Sequence, residues 1–319
     1  MNLVPEIELS ACQIGGKGDK PVASSGRRNT ESDSGFIIVA VLFIVAALAT
    51  LVGVFSLYAA NTAVPMRVHE DRLRSEALIT AAIELTALRF LRVDDETRPG
   101  SGAFSFQMGG ADIAVAFRTE HARIDLNLAS KALLSGLLRT LGAQPEDADY
   151  AADRIIGWRQ KAETPSRNKE AEIYKTAGLN YEPRQAPFQN IAELGFVLGL
   201  SPALVKRALP FVTIFNGRAE IDVTEAPAEV VAALPNISPD VAGAILSERR
   251  SQDVRTVRDL LGGASANVAI GGPGAVRIFI RVTLGSGRKV SAEVVMIVTD
   301  RGVDPYRILA WRDDFDGAF

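Results

Sequence analysis

The chain has 319 residues, of which 47% are apolar and 23% are charged, and its formal net charge is −3. A chain of this size and composition can bury at least one large core, and its near-neutral charge gives no reason to expect electrostatic binding of nucleic acid. The single cysteine, Cys12, lies near the N-terminus, so the rest of the chain has no thiol for a disulfide, for catalysis or for a zinc site.

The first predicted element is a long apolar helix that follows a polar leader. The run from Phe36 to Ala60 contains no charged residue. As a helix this run spans roughly 37 Å, enough to cross a hydrocarbon core of about 30 Å. We therefore predict a leader at residues 1–35, closed by Gly35, and a transmembrane helix at residues 36–63. An ordinary single-span anchor that begins with Gly-Phe is the alternative.

Beyond the span, the pattern predicts that the helix continues and is followed by strands. Leu78, Ala81, Leu85 and Leu88 recur at the spacing of three and four that is typical of one helix face. Alternating apolar residues then predict strands on both sides of a turn at Met108 and again near the C-terminus. The predicted strands are Ala103–Gln107, Asp112–Arg118, Val276–Leu284, Val290–Thr299 and Tyr306–Trp311. The predicted fold class is α+β, with a long N-terminal helix packed on an antiparallel sheet, as in pilins.

The region between the two groups of strands reads as an inserted all-helical domain with an internal repeat. Ile124–Ala129 is matched 97 residues later by Ile221–Ala226, and each copy reads as a short strand that leads into a helix. Two further helix starts are marked by Ser201-Pro202 and Ser238-Pro239, which place an N-cap acceptor before a proline. The predicted segments are the leader at 1–35, the transmembrane helix at 36–63, a first part of the pilin-like domain at 64–127, the helical insert at 128–255 and the C-terminal strands at 256–319.

Two sets of residues carry a resemblance to a known family. The junction of Gly35 and Phe36 resembles the class III signal of type IV pilins and type II secretion pseudopilins, in which cleavage follows the glycine. The segments after it resemble, in their order, the type II secretion minor pseudopilin K, the GspK family. These segments are Arg123–Asn127, Ile155–Trp158, Ala186–Phe188, Ile191–Leu194, Ile221–Ala226 and Ala242–Arg249.

The resemblance implies a non-enzymatic protein that forms the tip of the type II secretion pseudopilus and helps to initiate its assembly for protein export. It implies the minor pseudopilins I and J, a prepilin peptidase and the inner-membrane secretion platform as partners. The chain would cross the cell inner membrane once, with its C-terminal domain in the periplasm. Cleavage after Gly35 would make Phe36 the new N-terminus.

The fifth position after that cleavage supports the tip assignment. Major pilins carry Glu there, where it can neutralise the N-terminal amine of the preceding subunit, whereas this chain has Ala40 and no acid anywhere in the span. A carboxylate in a bilayer costs roughly 2.5 to 3.5 kcal/mol on insertion scales, which favours keeping one only where a partner amine exists. A tip subunit has no subunit above it. The alternative is that Ala40 is simply an anchor residue.

The family also implies calcium in a loop of the helical domain, and this chain departs from that pattern. The stretch from Arg159 to Glu172 contains no Asp and four basic residues. Calcium needs six to eight oxygen ligands, with carboxylates to supply the charge. Glu163, Glu170 and Glu172 could contribute as metal ligands, but a solvated surface loop fits the composition better. We therefore predict weak or absent calcium binding.

Three other functions were weighed. The segment Leu234–Arg249 resembles the helix-hairpin-helix module of membrane-anchored DNA-uptake proteins, but its turn has no glycine that would let backbone amides approach phosphate. A minor pilin of a type IV pilus has a similar build and stays open. An enzyme is not expected, because His69 and His121 have no metal-ligand spacing and no G-x-S-x-G is present.

Overall fold

The computed structural model describes residues 33–94, 98–162, 168–249, 254–261, 266–272, 274–299 and 304–313. All but the last three residues of the predicted leader lie outside this description, as does Glu163. The chain divides into two compact units, Met1–Val68 and His69–Phe319.

The first unit consists, in its described part, of the start of helix α1, which runs from Asp33 to Leu91. Within α1 the segment Phe36–Tyr58 has a mean hydropathy of 3.0, and none of it is buried inside the protein. Its length and composition suit a membrane span, although a signal sequence near an N-terminus has the same properties. The predicted apolar helix is therefore present, and its exposed side chains are apolar enough to face a membrane interior.

The second unit is built on a five-stranded antiparallel sheet. Its strands are β1 Ser101–Met108, β2 Ala111–Thr119, β5 Ala275–Thr283, β6 Lys289–Val298 and β7 Tyr306–Asp313. They lie in the order β1-β2-β5-β6-β7, and every neighbouring pair is antiparallel. Each of the strands predicted from alternating apolar residues is present.

The last part of α1 packs on this sheet, which confirms the predicted α+β arrangement. The buried helix residues are Ser75, Leu78, Ile79, Ala82, Ile83, Thr86, Ala87 and Phe90, and the sheet side chains below them include Ile113, Val115, Ile278, Ile280 and Val294. The residues that marked the helical periodicity are covered to different extents: Leu78 is buried, Ala81 and Leu85 are partly covered, and Leu88 is 44% exposed. The face of α1 that packs on the sheet combines small side chains such as Ala82 with large ones such as Phe90.

A helical insert joins β2 to β5, and it has a hydrophobic core of its own. Its helices are α2 Lys131–Thr140, α3 Pro145–Arg159, α4 Lys169–Thr176, α5 Pro202–Ala208, α6 Ala228–Ala232, α7 Pro239–Glu248 and α8 Val254–Leu261. A short parallel pair, β3 Ile124–Asp125 and β4 Val212–Thr213, completes it. Ile124 and Leu261, which lie outside the predicted range 128–255, belong to the same core.

The internal repeat seen in the sequence is also a repeat in the structure. In the first copy β3 leads to α2 and α3, and in the second copy Ile221 forms one parallel bridge with Val268 before α6 and α7. The second copy is the shorter one, since α6 has 5 residues where α2 has 10. Each copy therefore begins with extended backbone that is held by a neighbouring strand or bridge.

Candidate functional site

A buried cluster of charged side chains fastens the insert to the sheet. We call this group the joint cluster, and it consists of Glu120, Thr213, Arg277 and Glu293. Glu120 lies in a 3-10 turn directly after β2, is fully buried, and accepts two bonds from Arg277, from Nε to Oε1 at 2.6 Å and from Nη2 to Oε2 at 3.0 Å. The Thr213 hydroxyl, on β4 of the insert, donates to Glu120 Oε2.

Arg277 extends the joint cluster across the sheet. Its Nη1 donates to Glu293 Oε1 on β6, and Glu293 Oε2 accepts from Arg312 Nη2 on β7 at 2.6 Å. Charged and hydroxyl groups thus connect three strands of the sheet to the insert. A bidentate guanidinium–carboxylate pair has a fixed relative geometry, so it orients the two parts as well as attracting them.

The charges in this cluster stabilise one another. Burial by itself raises the pKa of the Glu120 carboxyl, but the hydrogen bond and positive charge of Arg277 outweigh it and bring that pKa below its ordinary value. Burial lowers and Glu120 then raises the pKa of Arg277, with a net increase. Glu120 and Arg277 are therefore both ionised at neutral pH, which suits positioning and does not suit general acid–base chemistry.

The first copy of the repeat is organised by Asp125. Its carboxylate is buried and accepts the backbone N–H of Asn127 at 2.8 Å and that of Gly217 at 3.0 Å. Arg159, at the end of α3, donates to the backbone carbonyls of Leu126 and Ala129 in the same turn. The aspartate therefore links the turn before α2 to the chain after β4, and the arginine links it to α3.

The second copy repeats these contacts around Asp222. This carboxylate is also buried, and it accepts the backbone N–H of Thr224 at 3.0 Å and that of Gly271 at 2.8 Å. Arg249 donates to the carbonyl of Ala226, as Arg159 does in the first copy. The aspartate in each I-D-[LV]-[NT]-x-A segment thus has a structural reason, because it satisfies buried backbone donors on two sides.

Four segments that carried the family resemblance meet around Trp158. Its ring lies 6.1 Å from that of Phe188 and 6.1 Å from that of Tyr174, and its Nε1 donates to Glu193 Oε2 at 3.2 Å. Asn127 completes the group, because its side-chain amide both donates to the Phe188 carbonyl and accepts the Phe188 N–H. Residues from four separate parts of the sequence therefore form one packed cluster between α3, α4 and the chain that follows.

The predicted metal-ligating residues do not come together in the described part of the chain. Glu170 forms an ion pair with Arg154, from Oε2 to Nη1 at 3.1 Å, and Glu172 is exposed to solvent. Glu163 lies outside the described residues. No group of three or more His, Cys, Asp or Glu side chains that could hold a metal is present among the residues that the structure describes. The donors in this part of the chain therefore do not fit the calcium ion that the family implies.

The predicted cleavage residues lie at the start of α1. The helix begins at Asp33, so Gly35 and Phe36 fall in its first turn, and the Phe36 side chain is 77% exposed. Ala40 lies one turn further along the apolar segment. Cleavage at this point, and the meaning of the missing acid at position 40, stay predictions.

His121 is a packed, neutral residue. It is 3% exposed and borders a cavity of about 170 Å³ that Asp222 also lines. Burial, followed by the positive charge of Arg218, lowers the pKa of its imidazole to about 4. A Cβ atom at Gly274 would lie 2.2 Å from Nε2 of His121, so the backbone at that position closes over the ring. The His69 side chain lies outside the description.

The hairpin with a helix-hairpin-helix sequence does form, between α6 and α7. Its turn contains Asn236 at φ 63°, in the left-handed region where glycine is usual, and the Ser238 hydroxyl accepts the Val241 N–H at 3.2 Å to begin α7. Asparagine takes this conformation at modest cost, but unlike glycine it adds a side chain to the turn. The hairpin is thus explained as packing within the second copy of the repeat.

Known families and relatives were compared with this chain. The family described as "Type II secretion system (T2SS), protein K" matches residues 118–217, from the end of β2 through β4 of the insert. Residues 118–217 of this chain therefore resemble type II secretion system protein K. The resemblance predicted from the sequence is confirmed, and the matched residues contain the Asp125 turn, the Trp158 cluster and two members of the joint cluster.

Two relatives extend the match. The chain is 29% identical over 163 residues to type II secretion system protein K of Pseudomonas aeruginosa, covering 48% of this chain and 49% of the relative. It is 29% identical over 133 residues to the protein K of Dickeya chrysanthemi, covering 40% and 36%. The match thus spans about half, or less, of the length of these relatives.

A chain in the crystal structure of the GspK-GspI-GspJ complex from the type 2 secretion system of enterotoxigenic Escherichia coli has a similar fold. The TM-score is 0.57 at 15% sequence identity, over 78% of this chain and 100% of that one. At this identity the likeness concerns the fold, a helix on an antiparallel sheet with a helical insert.

Proposed function

We propose that this protein is a minor pseudopilin of a type II secretion system, that it assembles with the minor pseudopilins I and J, and that it forms the tip of the pseudopilus and helps to initiate its assembly. The observation that carries the proposal is the protein K domain inserted between β2 and β5 of a pilin-like unit. A membrane-spanning helix at residues 36–58, inner-membrane anchoring and a periplasmic second unit belong to the same proposal.

The build of the second unit supports a position at a filament end. Pilin-like subunits repeat along a filament by packing their long helices together, and a bulky insert on the sheet is sterically tolerated most easily where no further subunit follows. The joint cluster attaches the insert to the sheet, because the Thr213 hydroxyl of the insert donates to Glu120, and Glu120 accepts from Arg277 in β5. A fixed insert acts as a cap, whereas a loosely tethered one would leave the end accessible.

The proposal includes processing by a prepilin peptidase between Gly35 and Phe36. We expect Gly35→Ala to make the full-length precursor accumulate, because the peptidase must then accept a side chain at a position where the family has none. N-terminal sequencing of the membrane-extracted wild-type protein should begin at Phe36. The matched control is Gly53→Ala, since a Cβ atom at Gly53 has no neighbour within 4 Å and the change lies in the same helix.

A wild-type N-terminus at Met1 or near Ala60 would contradict this processing step. Precursor accumulation with Gly53→Ala as well as with Gly35→Ala would also count against it, because the effect would then belong to the helix and not to the cleavage site.

The partners are tested by co-expression of the full-length chain with the I and J homologues from the same genome. We expect a detergent-stable complex of the three proteins after affinity capture on this chain and size-exclusion chromatography. Recovery of this protein without I and J, together with a gel shift of DNA at low salt, would overturn the proposal in favour of a DNA-uptake protein.

A further inference from the structure

In the described residues, a partly buried ion pair connects α3 to α4 at the corner between them. Arg154 belongs to α3 and Glu170 to α4, and the N–O distance between them is 3.1 Å. Their side chains are only 12% and 16% exposed. The Glu170 carboxylate lies directly against α3, because a Cβ atom at Gly157 would be 2.3 Å from its carboxyl carbon. Glycine at this position leaves room for the Glu170 carboxylate against α3.

Among the described residues, Arg154 is the cation that pairs with Glu170. Burial raises the pKa of the Glu170 carboxyl, Arg154 lowers it and Asp153 raises it, with a net increase. Asp153 is itself paired with Lys131 of α2 at 2.7 Å, so that lysine is engaged elsewhere. Arg159 is also directed away, since it donates to the carbonyls of Leu126 and Ala129.

The same corner is where the family resemblance implies calcium, and the two arrangements compete for one carboxylate. A calcium ion needs several oxygen ligands that are free of other cations. Glu170 Oε2 is paired with a guanidinium, and an ion at Oε1, which has no hydrogen-bond partner among the described groups, would lie beside that same positive charge. A calcium ion and a guanidinium that share one carboxylate would repel each other strongly, because both are positive and both are partly desolvated.

We propose that Arg154 is a built-in cation that closes the α3–α4 corner, so that this protein K domain keeps its fold without calcium. The guanidinium supplies a positive charge from within the chain, so the partly buried carboxylate has a counter-charge without a metal. The proposal stands whether or not the protein occupies the tip of a pseudopilus, since it concerns how this corner is held.

The first experiment is a thermal melt of the full-length protein in detergent, with either EGTA or calcium chloride present. The chain has two tryptophans, so a Trp311→Phe background leaves Trp158, whose ring is 6.1 Å from that of Tyr174 in α4, as the fluorescent reporter of the corner. We expect the midpoint to differ by no more than about 1 °C between the two conditions, because a ligand that does not bind the folded state cannot stabilise it.

The second experiment compares variants in that background. Arg154→Gln is expected to lower the midpoint by about 5–10 °C, because it leaves a largely covered carboxylate without its counter-charge. Arg154→Gln combined with Glu170→Gln should recover a large part of this loss, since both charges are then gone. The matched control is Arg139→Gln, which removes a pair to Asp149 whose side chains are 48% and 47% exposed and should shift the midpoint by about 1–2 °C at most.

Two results would overturn the proposal. One is a rise of several degrees with calcium in the parent protein that is lost in Glu170→Gln, because a metal would then close the corner. The other is an Arg154→Gln midpoint no lower than that of Arg139→Gln. If Arg154→Gln alone does not fold, the double variant carries the test, since recovery of a cooperative melt supports the pair and failure to recover it contradicts the pair.

Discussion

Replacing Glu120 by alanine is expected to lower the free energy of unfolding by about 3–5 kcal/mol, because the change leaves a buried guanidinium without its bidentate partner. Arg277 is 7% exposed and, among the described residues, would keep Glu293 as its counter-charge. The Thr213 hydroxyl would lose its acceptor in the same step. The measurement is chemical denaturation of the full-length protein in detergent, with a two-state fit for the second unit.

The matched control is Glu76→Ala on α1. Glu76 pairs with Arg72 four residues away, and their side chains are 51% and 73% exposed, so we expect a change within about 0.5 kcal/mol. A loss for Glu120→Ala that is no larger than the loss for Glu76→Ala would show that the joint cluster does not hold the insert.

The same cluster predicts a direction for the pH dependence. The folded-state pKa of Glu120 lies below its ordinary value of 4.5, so its contribution is fully present above that value and is lost as the pH falls toward the folded pKa. The difference in stability between the wild type and Glu120→Gln should therefore be constant near neutral pH and narrow in acid.

Replacing Trp158 by alanine is expected to cost about 3–5 kcal/mol, the range for a large aromatic side chain removed from a packed core. Trp158 is 6% exposed and packs against Phe188 and Tyr174. Its removal also leaves Glu193 Oε2 without the indole N–H. Trp158→Phe, which keeps the stacking but not the hydrogen bond, should cost less. Urea unfolding of the full-length variants measures both.

The chain offers a natural control in its second tryptophan. Trp311 lies on the edge strand β7 and is 40% exposed, so Trp311→Ala should cost about 1 kcal/mol or less. Equal losses of unfolding free energy at the two positions would mean that the residues packed around Trp158 do not stabilise the insert more than an edge-strand tryptophan stabilises the sheet.

The elements of this fold followed from local patterns in the sequence. Alternation of apolar residues marked the strands, an uncharged run marked the apolar helix, and the repeated I-D-[LV]-[NT]-x-A segments marked the insert. The helix starts at Ser201 and Ser238 were readable because a side-chain acceptor and a proline stand side by side there, and both hydroxyls do accept a backbone N–H. Signals of this kind depend on neighbours in the sequence, so one chain is enough to read them.

The contacts that fix the site could not be read in the same way. Glu120 and Arg277 are separated by 157 residues, and in the sequence Arg277 occupies a position of β5 that reads as an ordinary polar one. Arg154 is likewise one polar residue within α3, and only the approach of α4 shows that it faces Glu170. The helical periodicity predicted that α1 continues, but the face that packs on the sheet depends on strands far away in the sequence.

The most direct test of the central proposal is the position of this protein on isolated pseudopili. An epitope tag on the insert at Gly178, a loop glycine with φ 78° where an added Cβ atom would have no neighbour within 4 Å, can be labelled with gold-conjugated antibody and imaged by electron microscopy. We expect label at one end of each filament and none along its length. Label distributed along the filaments, in a strain that still secretes, would contradict the tip position.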